Sequence, residues 1–209
     1  MKKYAFFWSK FSEIIVHFLK KCYNFYNIHN KYTCERGNSM RILATFDSKD
    51  YQDTVEVYEK YSVRGIVMRD GKLAMQCSRD GEYKIPGGGM EAGESRIQAL
   101  IREVREETGL YVIEDAVVEI GEIVEMRRDI FDPTKKYICH SLFYYCEVEK
   151  ERQDALKLTD SELAKGYELK WATPQEIYQK NILIEKDPWI VRDTAFVKML
   201  MDQSVTLPE

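Results

Sequence analysis

Glu103, Glu106 and Glu107 stand three and four residues apart, behind the run Pro86-Gly87-Gly88-Gly89 and ahead of Gly109-Leu110. On a helix this spacing predicts carboxylates converging on one face, where like charges repel by about 0.2–0.5 kcal/mol per pair. A divalent cation removes that repulsion. Oxygen-only donors suit a hard ion such as Mg²⁺ or Mn²⁺, which keeps waters and shares phosphate oxygens with a substrate. The glycine run removes side chains where backbone must approach a ligand, and its carbonyls can add to the metal shell. Glu94 lies eight residues before Arg102, and such a pair can pin the loop to the helix; its reading is structural first and metal-linked second. Most charge runs are solvated helix faces. Here the glycine loop in front and Gly109 behind favour a metal and diphosphate site.

From Gly88 to Leu110 the chain resembles the Nudix box: Gly, five residues, Glu, seven residues, Arg-Glu, an aliphatic, any residue, Glu-Glu, any residue, Gly, an aliphatic. Every fixed position fits, and a pattern this long is highly specific although it covers only about a tenth of the chain. The resemblance implies a MutT-like Nudix hydrolase with an α/β/α sandwich around a central mixed β-sheet. It also implies metal-assisted attack of water on a diphosphate, usually linked to a nucleoside. Carried onto this chain, the Gly87 carbonyl, Glu103, Glu106 and Glu107 would hold the metals. Glu103 is the first candidate for the base, Glu106 shares the catalytic role, and Gly88 and Gly89 would face the substrate. Some box-bearing domains are non-catalytic nucleotide sensors or isomerases, so the motif does not by itself fix the reaction.

The elements that must position these residues can be read from pattern. A helix is expected from about Ser95 to Thr108, ended by Gly109, with Ile97, Leu100, Ile101, Val104 and Thr108 as its buried stripe. Strands are expected at 41–46, 54–58, 62–68 and 72–77, the last two joined at Asp70-Gly71, and at 82–85, which feeds the glycine loop. Further strands are expected at 116–126, at 137–148 as a sheet centre covered on both sides, and at 167–171. His140 reads as a satisfied core histidine. Thr173-Pro174-Gln175-Glu176 reads as a capping box, and Asp187-Pro188 opens a last helix to about Asp202 that packs on the sheet.

Two further groups are candidates. Similar enzymes often place one more carboxylate over the metals from a loop, and here Glu162, with Glu168 behind it, occupies a polar stretch at 159–163; an exposed loop acid is the competing reading. Arg127 and Arg128, with Lys135 and Lys136, could meet distal phosphates or belong to a solvated hairpin. Tyr83, Phe131, Tyr144 and Trp171 could stack on a base, although such residues are more often core.

The length of 209 residues, 44% hydrophobic and 32% charged, suits one catalytic domain at 40–209. Cys22, Cys34, Cys77, Cys139 and Cys146 form no CxxC pair, which points to reduced thiols in a cytoplasm. The first forty residues hold seven Lys or Arg against two acids, a balance of +5, which leaves −9 for the rest of the −4 total. An acidic remainder disfavours nucleic acid as partner and favours a small phosphorylated substrate. A nucleoside di- or triphosphate or a nucleotide sugar is expected, because Glu125-Met126-Arg127-Arg128 beyond the box matches none of the markers of the ADP-ribose, dinucleotide polyphosphate or NADH enzymes of the family. A homodimer is left open. Residues 1–39 form a basic aromatic leader with no apolar run of transmembrane length; it reads as a surface helix, or as untranslated sequence before a start at Met40, since Glu35-Arg36-Gly37 can be encoded by a purine-rich ribosome-binding run.

Overall fold

The computed structural model describes residues 40–184 and 187–208. The two readings of the leader concern residues 1–39 and lie outside the described residues. The strands are β1 (Ile42–Asp47), β2 (Glu56–Ile66), β3 (Met68–Arg69), β4 (Lys72–Cys77), β5 (Tyr83–Lys84), β6 (Leu110–Val112), β7 (Val118–Arg128), β8 (Lys135–Tyr145), β9 (Val148–Gln153) and β10 (Glu168–Ala172). The helices are α1 (Arg96–Thr108), α2 (Asp160–Lys165), α3 (Pro174–Asn181) and α4 (Pro188–Met201). One sheet has the order β1-β7-β8-β2, a second has β10-β4-β3 with β5 paired to β4, and β6 pairs with β9.

The chain forms two compact units, and the larger, with Met40–Leu43, Lys60–Ile123 and the chain from His140, holds the box. Its layering follows from the alternation of side chains along β8. Leu142 and Tyr144 join Cys146 in a buried cluster with Ala99, Leu100 and Val104 of α1. Phe143, between them, stacks on Phe196 of α4 with ring centroids 4.3 Å apart. Neighbouring residues of one strand thus bury helices on opposite faces, the α/β/α sandwich expected of the box. Each fully buried Leu, Val or Phe contributes about 1.5–3 kcal/mol relative to exposure. Gly65 of β2 allows α1 this approach, for a Cβ there would meet Val104 Cγ2 at 2.4 Å.

The smaller unit comprises Ala44–Glu59 and Val124–Cys139. Within it the Val55 N–H donates to the Thr134 carbonyl at 3.1 Å, and the guanidinium of Arg128 is held by the Asp50 carbonyl, the Pro133 carbonyl and Asp53.

Helix α1 begins and ends where its sequence predicts. Ser95 caps it through a capping box with Gln98, each side chain accepting from the other's N–H, and Gly109 ends it in the left-handed region at φ 73°. The buried stripe differs from expectation: Ile97 and Ile101 are half-buried, while Ala99 and Glu107 take buried positions beside Leu100, Val104 and Thr108. The hairpin at Asp70-Gly71 forms with Met68 opposite Leu73 and Arg69 opposite Lys72. The strands expected at 54–58 and 62–68 are mostly one strand, β2, because the expected gap between them, Glu59-Lys60-Tyr61, holds no turn residue. The run expected at 137–148 divides instead: β8 ends at Tyr145, and Val148 opens β9, which pairs with β6 in another sheet. Residues 160–165 are a helix, not a loop, with Thr159 and Glu162 forming its capping box. Among the described residues no helix is long and apolar enough to cross a membrane.

Candidate active site

Two helices hold the strand that leads into the glycine loop. The Tyr83 N–H donates to Asn181 Oδ1 of α3, and Asn181 Nδ2 donates back to the Tyr83 carbonyl, both at 2.9 Å. The Ile85 N–H donates to Asp193 Oδ2 of α4 at 2.9 Å. On its other side the loop is laced to β2, with Gly65 N–H donating to the Pro86 carbonyl at 2.8 Å and Val63 N–H to the Gly88 carbonyl at 2.9 Å. These bonds leave no room for side chains. At Gly87, φ is 139° and a Cβ would meet the Val63 carbonyl oxygen at 2.0 Å; at Gly88 a Cβ would meet the Glu103 carboxyl carbon at 2.5 Å.

The loop is also tied to α1. Arg102 Nε and Nη2 donate to the two oxygens of Glu94 at 2.7 and 2.9 Å, a bidentate pair, and Nη2 also reaches the Gly89 carbonyl at 3.1 Å. Those bonds, and the Glu91 N–H, hold the Glu94 carboxyl down, to about 2. The pair thus pins the loop to the helix. Arg102 Nη1 then bridges Glu103 Oε1 at 2.8 Å and Glu106 Oε2 at 3.3 Å.

Glu107 departs from the arrangement expected of it. It points into the protein rather than lying beside Glu103 and Glu106, and its residue is only 4% exposed. Its Oε2 accepts the Gly87 N–H at 2.5 Å and its Oε1 accepts Lys84 Nζ at 2.9 Å. Lys84 Nζ also donates to Glu162 Oε1 at 3.1 Å, so the carboxylate from α2 reaches the site although the sequence does not single it out from its neighbours. Burial pushes the Glu107 carboxyl up to about 7, with Glu162 beside it acting the same way against Lys84 and Gly87. Glu162 moves down: burial opposes this, but the hydrogen bond with Glu107, the Lys84 ammonium and Thr159 outweigh it.

The other candidates are placed as follows. Glu168 opens β10, opposite Cys77. Arg127 and Arg128 lie in the smaller unit. Arg127 Nε donates to Glu125 Oε1 at 2.5 Å and its guanidinium stacks 4.1 Å from the Tyr137 ring; Arg128 is held by Asp50, Asp53 and Pro133. Lys135 pairs with Glu56 and Asp132, and Lys136 lies over the Tyr51 ring. Tyr83 and Tyr144 are core, Trp171 packs on the core cluster under Arg69, and Phe131 is 90% exposed. His140 is partnered, by Glu122 at 3.2 Å and by the Tyr61 ring. Lys84 and Arg64, whose Nη1 donates to the Gly87 carbonyl, are site residues that the spacing of the box does not reveal. The signal for Arg64 is a lone charge in the apolar run Ser62-Val63-Arg64-Gly65-Ile66.

A NUDIX domain model matches residues 60–192, well over half of the chain. The chain belongs to the NUDIX family. It is 33% identical over 76 residues to the ADP-ribose pyrophosphatase of Methanocaldococcus jannaschii, an alignment covering 34% of this chain and 44% of that protein. It is 30% identical over 119 residues to the CTP pyrophosphohydrolase of Escherichia coli, covering 50% of this chain and 88% of that one. The match thus spans less than half the length of the archaeal relative. Among solved structures it is similar to a NUDIX hydrolase from Nitrosomonas europaea, with TM-score 0.46, 21% identity, and 68% and 88% of the two chains covered. The relatives named for an activity are hydrolases of phosphoric anhydrides, and NUDIX hydrolases generally use divalent metals.

The residues present fit such a metal in donor chemistry. Glu103, Glu106, Glu107, Glu162 and the Gly87 carbonyl are all hard oxygen donors, and the carboxylates of Glu103 and Glu107 both abut the adjacent Gly87 and Gly88. Among the described residues no three of these groups form a preformed ligand cage. Arg102, Lys84 and Arg64 hold them instead, supplying the positive charge that so many acids need.

Proposed function

We propose that this NUDIX protein is a metal-dependent hydrolase that cleaves a diphosphate bond in a small nucleotide-type substrate, a nucleoside di- or triphosphate or a nucleotide sugar. The observation that carries the reading is the glycine loop clamped between two carboxylates of one helix, Glu103 against Gly88 and Glu107 on the Gly87 N–H. Glu103, Glu106, Glu107 and the Gly87 carbonyl would hold Mg²⁺ or Mn²⁺. The bound ion supplies charge neutralisation of the phosphates and a more acidic water. Glu103 accepts the proton from the water whose oxygen bonds to phosphorus, and the anhydride P–O bond breaks toward the departing phosphate. Arg102 holds the carboxylates of Glu103 and Glu106 in place through its Nη1 donor. Glu162, ionised beside Glu107 and Lys84, is a second acceptor within reach of the same cluster. Phosphate contacts by Arg127 and Arg128 would require their present pairs to open.

Buried Cys77 and Cys146 are thiols rather than halves of a disulfide, which supports a cytoplasmic setting. The acidic balance of the chain from Met40 onward supports a small substrate over nucleic acid. The test is product release from a panel of nucleoside triphosphates, nucleotide sugars, dinucleotides and ADP-ribose, with Mg²⁺, with Mn²⁺ and with chelator. Turnover of one class, abolished by chelator and by Glu106→Gln, establishes the hydrolase. Binding without turnover across the panel identifies a nucleotide sensor instead.

A further inference from the structure

One cation beside the glycine loop is left over by this reading. Lys60, Ser62 and Arg64 fall at alternate positions of β2 and so share one face of the strand. That strand runs along the loop, with Ser62 bridged to Gly89 and the Met90 N–H donating to the Tyr61 carbonyl at 3.4 Å. Arg64 and Lys60, about 13 Å apart along the strand, therefore bracket the loop. Arg64 reaches Gly87. Lys60 reaches Gly89: a Cβ on that glycine would meet Lys60 Cε at 3.1 Å and Nζ at 3.4 Å, so the lysine tip lies over the site loop where a side chain at 89 would stand.

The two ends differ in how their charge is used. Arg102 and Lys84 are bound to Glu94, Glu103, Glu106, Glu107 and Glu162, and Arg64 to the Gly87 carbonyl. The Lys60 side chain is exposed and has no hydrogen-bond or ion-pair partner among the described residues. Along three consecutive glycines the carboxylates of Glu107 and Glu103 stand at Gly87 and Gly88, whereas Gly89 has no carboxylate of the described residues against it and meets the tip of Lys60 beside Arg102, which is already bound to acids. A diphosphate laid along the loop would place one phosphate by the metal-holding carboxylates and its neighbour by the ammonium.

We propose that Lys60 is the contact for the substrate's outer phosphate, the one farther from the carboxylate cluster. This rests on the hydrolase reading of the same site. Its effect is on binding: an ammonium on a flexible stem is a point charge that follows a phosphate rather than fixing its orientation, so Arg can replace it.

The test uses pyrophosphate with Mn²⁺ as the probe, titrated calorimetrically into the full chain, Lys60→Ala and Lys60→Arg at low and high KCl. Thermal melts check that the variants, altered at an exposed position, are folded. The expected result is binding about tenfold weaker in Lys60→Ala, near the wild-type value in Lys60→Arg, with the weakening erased at high salt because an exposed contact is screened. A salt-sensitive loss of this kind is not what removal of a packing group would give. Equal binding by wild type and Lys60→Ala overturns the assignment of Lys60 and leaves the hydrolase reading standing. No binding of Mn²⁺-pyrophosphate by the wild type overturns both.

Discussion

The backbone N–H of Gly87 donates to Oε2 of Glu107 at 2.5 Å, across twenty residues of chain. One bond thereby joins the loop that must face a ligand to the helix that carries the acids. It also sets Glu107 apart from Glu103 and Glu106, which share Arg102 nearer the surface.

Glu107→Ala is therefore expected to act on stability as well as activity. It strips the Gly87 N–H of its partner and leaves Lys84 with Glu162 alone. A loss of about 2–4 kcal/mol is expected in urea unfolding, because a buried donor and a buried cation lose their acceptor together. Glu107→Gln keeps an acceptor oxygen and should lose roughly half as much.

Glu106 should separate the two properties. Its side chain is 36% exposed and its bond to Arg102 is 3.3 Å long, so Glu106→Gln should change stability by less than about 0.5 kcal/mol. Steady-state turnover should fall by about 100-fold or more if the group holds the metal. A variant that retains near wild-type turnover would remove Glu106 from the ligand set.

Gly87→Ala and Gly88→Ala should fail differently. At Gly87 the added methyl meets the Val63 carbonyl and φ is 139°, which costs about 1–3 kcal/mol in backbone strain before the clash is counted. Low expression or a large drop in melting temperature is expected. At Gly88 the methyl meets only the end of the Glu103 side chain. That variant should fold, and isothermal titration should show weakened Mn²⁺ binding.

The Glu94–Arg102 clamp predicts a pH dependence. The folded carboxyl of Glu94 lies at about 2, below its ordinary value of 4.5. Its contribution is therefore complete above about pH 4.5 and is lost as the pH falls through about 2. The stability gap between wild type and Glu94→Gln, read from urea midpoints, should stay constant from pH 7 to about 5 and then close toward pH 2. A gap that closes already between pH 7 and 5 would mean that Arg102 does not hold this carboxylate.

Local signals account for what was legible beforehand. The box helix, its end at Gly109, the Asp70-Gly71 hairpin and the Thr173 capping box each depend on residues within a few positions of one another. Helix α2 carried such a signal as well, Thr159-Asp160-Ser161-Glu162, but its short length and polar residues resemble a loop. The division at Tyr145 into β8 and β9 was not legible, because apolar residues continue through Cys146 to Val148 and only pairing with β6 shows where the chain changes sheet.

From spacing alone the chain determined its family motif, the helix with its acids, and the glycine loop in front of them, since 3.6 residues per turn and the lack of a Cβ act at short range. Which acid faces inward was decided by the tertiary structure. Glu107 is buried because α1 lays Leu100 and Val104 against β2 and β8, and that packing sets the rotation of the helix about its axis. Lys84, Arg64, Glu162 and Lys60 come from three other elements, and they reach the loop or the Glu107 carboxylate bound to it, Glu162 through Lys84, only once β5, β2 and α2 are docked. No periodicity within one segment encodes a distance between segments. That distance is set by close packing of the core, where alternate residues of β8 hold one helix on each face.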